Sequence, residues 1–343
     1  PAPPMPRPVH QWLPEQWLGR GPAAQCLRPV SWLYGALSWV RRLAYRQGWL
    51  VSHRVQATLI VVGNVVAGGA GKTPTTIALV QHLLQRGWAV GVVSRGHGRQ
   101  TSDTRPVQAQ STPALVGDEP LLIAQATGVP VWVGASRAEA ARQLLQAHPG
   151  THIIVCDDGL QHLALARDIE ICVMDERGVG NGWLLPAGPL REPWPRQMDL
   201  LLHTGTPAVT GGFRGQRRLA AQAVCVSGDR VNLASLQGQA VDAVAGLARP
   251  EAFFGMLRSA GLQLAQTHAM PDHADFADWP SGALERPLLC TEKDAAKLWA
   301  HQSEALAVPL VLDIDPAFWE ALDALLAQRA GSPVSSAHGQ QTA

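Results

Sequence analysis

From residue 58 onward, short apolar runs alternate with stretches of helical period. Segments 58–62, 89–93, 129–133 and 152–156 are almost continuously apolar and rich in β-branched residues, the pattern of strands buried on both faces. Between them, 73–86, 120–126 and 137–147 carry apolar positions at helical spacing. Strand, helix and strand in that order predict an α/β fold, a parallel sheet with helices on both faces. Further strand-like runs at 169–174, 200–204, 241–245, 288–291 and 308–312 continue the alternation, interrupted by a Pro- and Gly-rich stretch at 184–195. A second, smaller α/β domain is therefore expected over 171–328, joined near 169–174 to a first domain over 29–170.

Ahead of the first strand, 31–46 predicts a helix of another kind. Trp32, Leu33, Leu37, Trp39, Val40 and Leu43 cover most of its circumference, while Ser38, Arg42 and Arg46 recur along one narrow face. An amphipathic helix with a basic stripe can lie on an anionic membrane surface or pack on the protein's own core. Residues 1–54 hold seven arginines against one acid, Glu15, which fits the membrane surface. Segments 1–28, rich in Pro and Arg, and 329–343, rich in Ser, Gly and Gln, are expected to be flexible.

Composition narrows the function. At 343 residues, with 46% apolar and 16% charged residues, the chain can bury two cores, and its net charge of +1 provides no overall field for gripping nucleic acid. The cysteines Cys26, Cys156, Cys172, Cys225 and Cys290 are scattered, odd in number and lack metal-site spacing, so a reducing compartment and no structural metal are expected. The longest apolar span, 30–40, is about half of the roughly 20 residues that a membrane-crossing helix needs, and no secretory leader is expected.

After the first strand comes Gly63-Asn64-Val65-Val66-Ala67-Gly68-Gly69-Ala70-Gly71-Lys72-Thr73-Pro74, which leads into a helical run. Glycines let backbone N–H groups turn toward a phosphate, the helix N-terminus adds partial positive charge, Lys72 can reach the β- and γ-phosphates, and the Thr73 hydroxyl can bind Mg²⁺. Residues 66–73 are thus the candidate cradle for ATP, in a P-loop NTPase-like sheet. The strict pattern has Gly where Val66 stands. Of 28 basic residues only Lys72, Lys293 and Lys297 are lysines, which makes a lysine at this position informative.

A nucleotide site also needs acids. Asp157 and Asp158 follow an apolar strand, where adjacent carboxylates would repel unless a cation lies between them. Asp118 and Glu119 precede Pro120, so Asp118 can be a helix cap or a functional acid. Gln161 and His162 follow the aspartate pair closely enough to face the same cleft. Arg191 lies in a rigid Pro-rich loop, either as a functional cation or as a surface partner of Glu192. Asp272-His273 could form a carboxylate-oriented base. Thr291-Glu292-Lys293-Asp294 lacks the residue between Lys and Asp that guanine-reading motifs have, so guanine specificity is not supported.

Together GNVVAGGAGKTP (63–74), SRGHGR (94–99), GDEP (117–120), DDGLQH (157–162), LPAGPLREP (185–193), PDH (271–273) and TEKDAAK (291–297) resemble the tetraacyldisaccharide 4′-kinases, the lipid A 4′-kinases of Gram-negative bacteria. The likeness runs from about residue 29 to 315. It implies transfer of the ATP γ-phosphoryl group to the 4′-hydroxyl of tetraacyldisaccharide 1-phosphate, forming lipid IVA, with Mg²⁺. It further implies Asp118 as the base with His273 as its dyad partner, and Glu119, Asp157, Asp158 and Gln161, with Thr73, near the metal. Arg191 and Arg137 would neutralise the transferring phosphoryl group. A lipid-linked acceptor implies peripheral attachment at the cytoplasmic face of the inner membrane through the N-terminal helix. His97 and Ala274 stand where many members have Tyr and His. The competing expectation is a P-loop ATPase or GTPase that switches a protein partner.

Overall fold

Nine strands join into one sheet in the computed structural model, which describes residues 17–247, 249–272 and 274–329. The segments 1–16 and 330–343, expected to be flexible, lie outside the described residues, as does His273. In chain order the sheet comprises β1 (Thr58–Gly63), β2 (Val90–Ser94), β3 (Arg105–Pro106), β4 (Val131–Val133), β5 (Ile153–Asp157), β6 (Ile169–Met174), β7 (Leu200–His203) and β8 (Phe213–Leu219), closed by Leu310–Ile314. The spatial order is Leu310–Ile314, β8, β7, β6, β1, β5, β2, β4, β3. All neighbours are parallel except the two edges, where Leu310–Ile314 runs against β8 and β3 against β4.

β1, at the centre, shows why its run is apolar at every position. Ile60 and Val62 enter one core with Leu79 and Leu83 of the helix Lys72–Gln85 and with Phe318 and Leu322 of Pro316–Arg329. Leu59 and Val61 enter the opposite core with Ala141 and Leu144 of Arg137–Ala147. Alternate side chains point to opposite faces, so a strand covered on both sides must be apolar throughout.

The passage between the two sheets differs from the expected join near 169–174. β6 is paired with β1 and β7 inside the first sheet, and the chain leaves only after β8. The second sheet has the order Arg230–Asn232, Gln222–Val224, Leu306–Val308, Leu288–Thr291, Ala240–Ala245, Gln263–Ala269. The single run expected at 308–312 is divided by Pro309, which lacks an N–H: Leu306–Val308 belongs to the second sheet and Leu310–Ile314 returns to the first. Segment 184–195 is therefore a loop within the first unit.

Residues 17–28 are not a free segment. The Trp17 indole donates to the Pro186 carbonyl at 3.0 Å, and Pro22–Cys26 forms a short helix. The helix Arg28–Arg46 then turns its small and polar side inward: Ser31 is buried, the Ser31 hydroxyl donates to Leu184 O at 2.8 Å, and the Tyr34 hydroxyl donates to Arg191 O at 2.9 Å. Trp32, Leu33, Leu37, Trp39 and Val40 face outward, each more than half exposed. On the face expected to carry a basic stripe, Ser38 and Arg42 are half-buried and Arg46 is exposed. No helix among the described residues is long and apolar enough to cross a membrane.

Candidate active site

The loop after β1 is shaped by two devices. Gly71 has φ 87°, and a Cβ there would meet Thr204 Oγ1 at 3.1 Å, so both backbone angle and space call for glycine. Val66, where the strict motif has Gly, is 2% exposed and forms an antiparallel bridge with Leu190. Its side chain belongs to the core, which explains the departure. The Ala67 N–H donates to Pro189 O at 2.8 Å. Val66 and Ala67, expected to cradle phosphate, thus anchor the loop, and the N–H groups of Gly68, Gly69, Ala70 and Gly71 have no protein partner among the described residues.

Lys72 opens the following helix, and its ammonium lies 3.3 Å from Asn64 Oδ1 and 3.7 Å from Asp158 Oδ1. Asp158 follows β5 at φ 49°, a left-handed conformation uncommon outside glycine. Burial pushes the Asp158 carboxyl up, but Lys72 and Arg191 outweigh it and hold the pKa below the ordinary value. Arg191 Nη1 donates to Asp158 Oδ1 at 3.0 Å and to Gln161 Oε1 at 3.1 Å. Gln161 in turn donates to Asn64 O at 3.0 Å and to Glu192 Oε1 at 2.6 Å. Phosphate loop, aspartate pair and Pro-rich loop therefore converge on one cluster.

The two aspartates differ. Asp157 is 1% exposed, its Oδ1 accepts from the Thr76 hydroxyl at 2.9 Å, and its buried Oδ2 has no hydrogen-bond partner. Burial, then the charges of Glu119 and Asp158, push its pKa up to about 7, against the pull of Lys72 and Thr76. An orphaned carboxylate oxygen beside two further acids fits a cation. Among the described residues no three His, Cys, Asp or Glu side chains close around one point. Of the residues expected at the metal, Asp158 and Gln161 are held by Arg191, while Glu119 and Asp158 are near enough to Asp157 for their charges to act on it.

A pH dependence follows. A carboxyl that binds its proton more tightly in the folded state loses stability for that state as pH rises from about 4 through 7, and bound cation cancels the loss. Thermal melts are expected to show stabilisation by Mg²⁺ and ATP that grows between about pH 5.5 and about pH 8, and that grows less in Asp157→Asn. The same growth in the variant would remove Asp157 from cation binding.

Asp118 is not a helix cap. Gly117, at φ 89°, is the cap residue of Asp118–Thr127, and Asp118 is the first helical residue, 8% exposed. Its two carboxylate oxygens lie 2.9 Å from the Lys297 ammonium, which also donates to Ala274 O at 3.2 Å. Lys297 comes from Glu292–Leu298, the helix after the Leu288–Thr291 strand, so the second unit holds the candidate base of the first. Its pairing was not foreseen, although the scarcity of lysines pointed at it. Arg137, 7% exposed, donates to the Asp158 carbonyl at 3.4 Å and braces that backbone. Asp272 pairs with Lys293 at 2.9 Å. Burial and then the charges of Arg137, Arg167, Arg41 and Arg95 push His162 down to about 4, so its imidazole is neutral at pH 7.

Comparison with known proteins gives a consistent picture. A family model described as tetraacyldisaccharide-1-P 4′-kinase matches residues 23–327. A tetraacyldisaccharide 4′-kinase of Acidovorax sp. (strain JS42) is 56% identical over 96% of this chain and 99% of its own length. One from Methylibium petroleiphilum (strain ATCC BAA-1232 / LMG 22953 / PM1) is 44% identical over 95% and 96%. The crystal structure of LpxK from Aquifex aeolicus in complex with ATP superposes with a TM-score of 0.79 at 27% identity, covering 89% of this chain and 99% of that one.

Proposed function

The chain belongs to the tetraacyldisaccharide-1-P 4′-kinase family, and on that premise we propose which of its residues bind ATP, hold the metal and move the proton. The enzyme transfers the γ-phosphoryl group of ATP to the 4′-hydroxyl of tetraacyldisaccharide 1-phosphate, forming lipid IVA in lipid A biosynthesis. The N–H groups of residues 68–71 and the Lys72 ammonium bind the phosphates. Thr73, Asp157 and Glu119 would hold Mg²⁺, which would supply positive charge to offset that of the ATP phosphates. Asp118 accepts the proton of the attacking 4′-hydroxyl, with Lys297 fixing its carboxylate and His273, outside the described residues, as its dyad partner. Arg191 exchanges its contact with Asp158 for the transferring phosphoryl group, and Arg137 keeps Asp158 in place. The observation that carries this reading is the meeting of Lys72 and Arg191 at Asp158 beside the orphaned oxygen of Asp157.

The acceptor is a lipid, and the outward face of Arg28–Arg46 suits its surroundings. Five large apolar side chains project from it, and the exposed Arg41 and Arg46 flank them, the arrangement of a helix lying at a membrane interface. The inward face holds Leu184 and Arg191 carbonyls, so the membrane contact is one element away from the catalytic arginine. Attachment is peripheral and, because ATP is supplied there, at the cytoplasmic face of the inner membrane. The variant Leu33→Ser/Leu37→Ser/Val40→Ser is expected to lose about tenfold or more in binding to anionic vesicles. Its transfer to vesicle-embedded acceptor should fall while transfer to detergent-dispersed acceptor persists. Unchanged vesicle binding would refute the membrane reading.

A further inference from the structure

We propose that Arg177 is a positioning residue for phosphate transfer, one that aims the phosphate loop by holding two of its carbonyls. Every carbonyl from Ala67 to Gly71 has a donor from this chain. Arg177 Nη1 donates to Ala67 O at 3.4 Å and Nη2 to Gly69 O at 2.9 Å. Asn64 Nδ2 takes Gly68 O at 3.1 Å, the Thr204 hydroxyl takes Ala70 O at 2.8 Å, and the Thr75 hydroxyl takes Gly71 O at 2.8 Å. A peptide's N–H points away from its C=O, so carbonyls drawn outward leave the N–H groups for an anion.

Arg177 is itself rigidly held. Its Nε lies 2.9 and 3.0 Å from the two oxygens of Asp175, which is fully buried just beyond β6, and its own N–H also donates to Asp175 at 3.1 Å. Its Nη1 is 3.0 Å from where a Cβ on Gly68 would lie, and Gly68 has φ 93°. Balancing the charge of Asp175 does not fall to Arg177 alone, because Arg249, entering from the second unit, reaches the same carboxylate at 3.3 Å. The planar guanidinium is what lets one side chain grip a carboxylate and two carbonyls together. An ammonium has the charge without that reach.

This inference rests on the phosphate-loop reading above, and Lys72→Ala separates the two. In purified full-length enzyme, Arg177→Ala is expected to raise the ATP KM by about tenfold or more while the KM for tetraacyldisaccharide 1-phosphate stays within about twofold. Arg177→Lys, which restores charge beside Asp175, is expected to leave the ATP KM raised by about threefold or more. An ATP KM within about twofold of wild type in Arg177→Ala, or full rescue by Lys, would overturn the proposal. If Arg177→Ala does not fold, Arg177→Lys decides on the same readout. Should Lys72→Ala also leave the ATP KM unmoved, the phosphate-loop reading itself fails; if Lys72→Ala raises it and Arg177→Ala does not, only the role of Arg177 falls.

Discussion

Asp118→Asn is expected to slow phosphoryl transfer by about a thousandfold while leaving ATP affinity within about threefold of wild type. The substitution keeps the shape of the side chain and removes its ability to accept a proton. Its carboxylate, in the first residue of Asp118–Thr127, is held by Lys297 from the second unit. Initial rates with acceptor in excess, beside calorimetric titration of the ATP complex, separate the two effects. Equal losses in rate and in ATP affinity would mean that Asp118 serves nucleotide binding.

Lys297→Met is expected to be the most damaging substitution outside the motifs of the first unit. Lys297 and Asp118 expose only 16% and 6% of their side chains, so removing the ammonium takes the Lys297 charge away from a buried carboxylate, at a cost of about 3 kcal/mol. Transfer is expected to fall by about a hundredfold, because the proton acceptor loses the group that orients it. Urea unfolding measures the first effect and initial rates the second. In the double variant Asp118→Asn/Lys297→Met the charge is gone, and stability is expected to exceed that of Lys297→Met alone. A double variant destabilised by the sum of the two single effects would show that the pair does not act as a unit.

What could be read along the chain depended on how local each cause is. The strands β1, β2, β4 and β5 were legible because burial on both faces makes every position apolar, and the phosphate loop because its glycines, lysine and threonine stand side by side. The division between sheets was not. β6 looks the same as a strand of either unit, and its neighbours are chosen by packing rather than by its own composition. Likewise the period of Arg28–Arg46 was plain, but not which face it buries. Ser31 and Tyr34 turn inward because the loop beneath them offers the carbonyls of Leu184 and Arg191 as acceptors. That loop, with four prolines, read as an interruption of the strand–helix alternation; it is the element that brings Arg191 to Asp158.

The site shows the same gradient. Lys72, Asp157 and Asp158 were assigned from adjacent residues, whereas the separate duties of the two aspartates depend on depth: one oxygen is fully enclosed, the other carboxylate lies between Lys72 and Arg191. Gln161, grouped with the metal, also accepts from Arg191 and donates to Asn64 O and Glu192, partners that lie in two distant segments. The Asp118–Lys297 pair spans 179 residues and has no local signature.

The most direct test of the account is whether ATP consumption depends on the lipid acceptor. With labelled ATP, Mg²⁺ and tetraacyldisaccharide 1-phosphate, the enzyme is expected to place one label at the 4′-oxygen for each ATP consumed, and to consume almost none when the acceptor is withheld. Vigorous hydrolysis indifferent to the acceptor, with no labelled lipid, would contradict it.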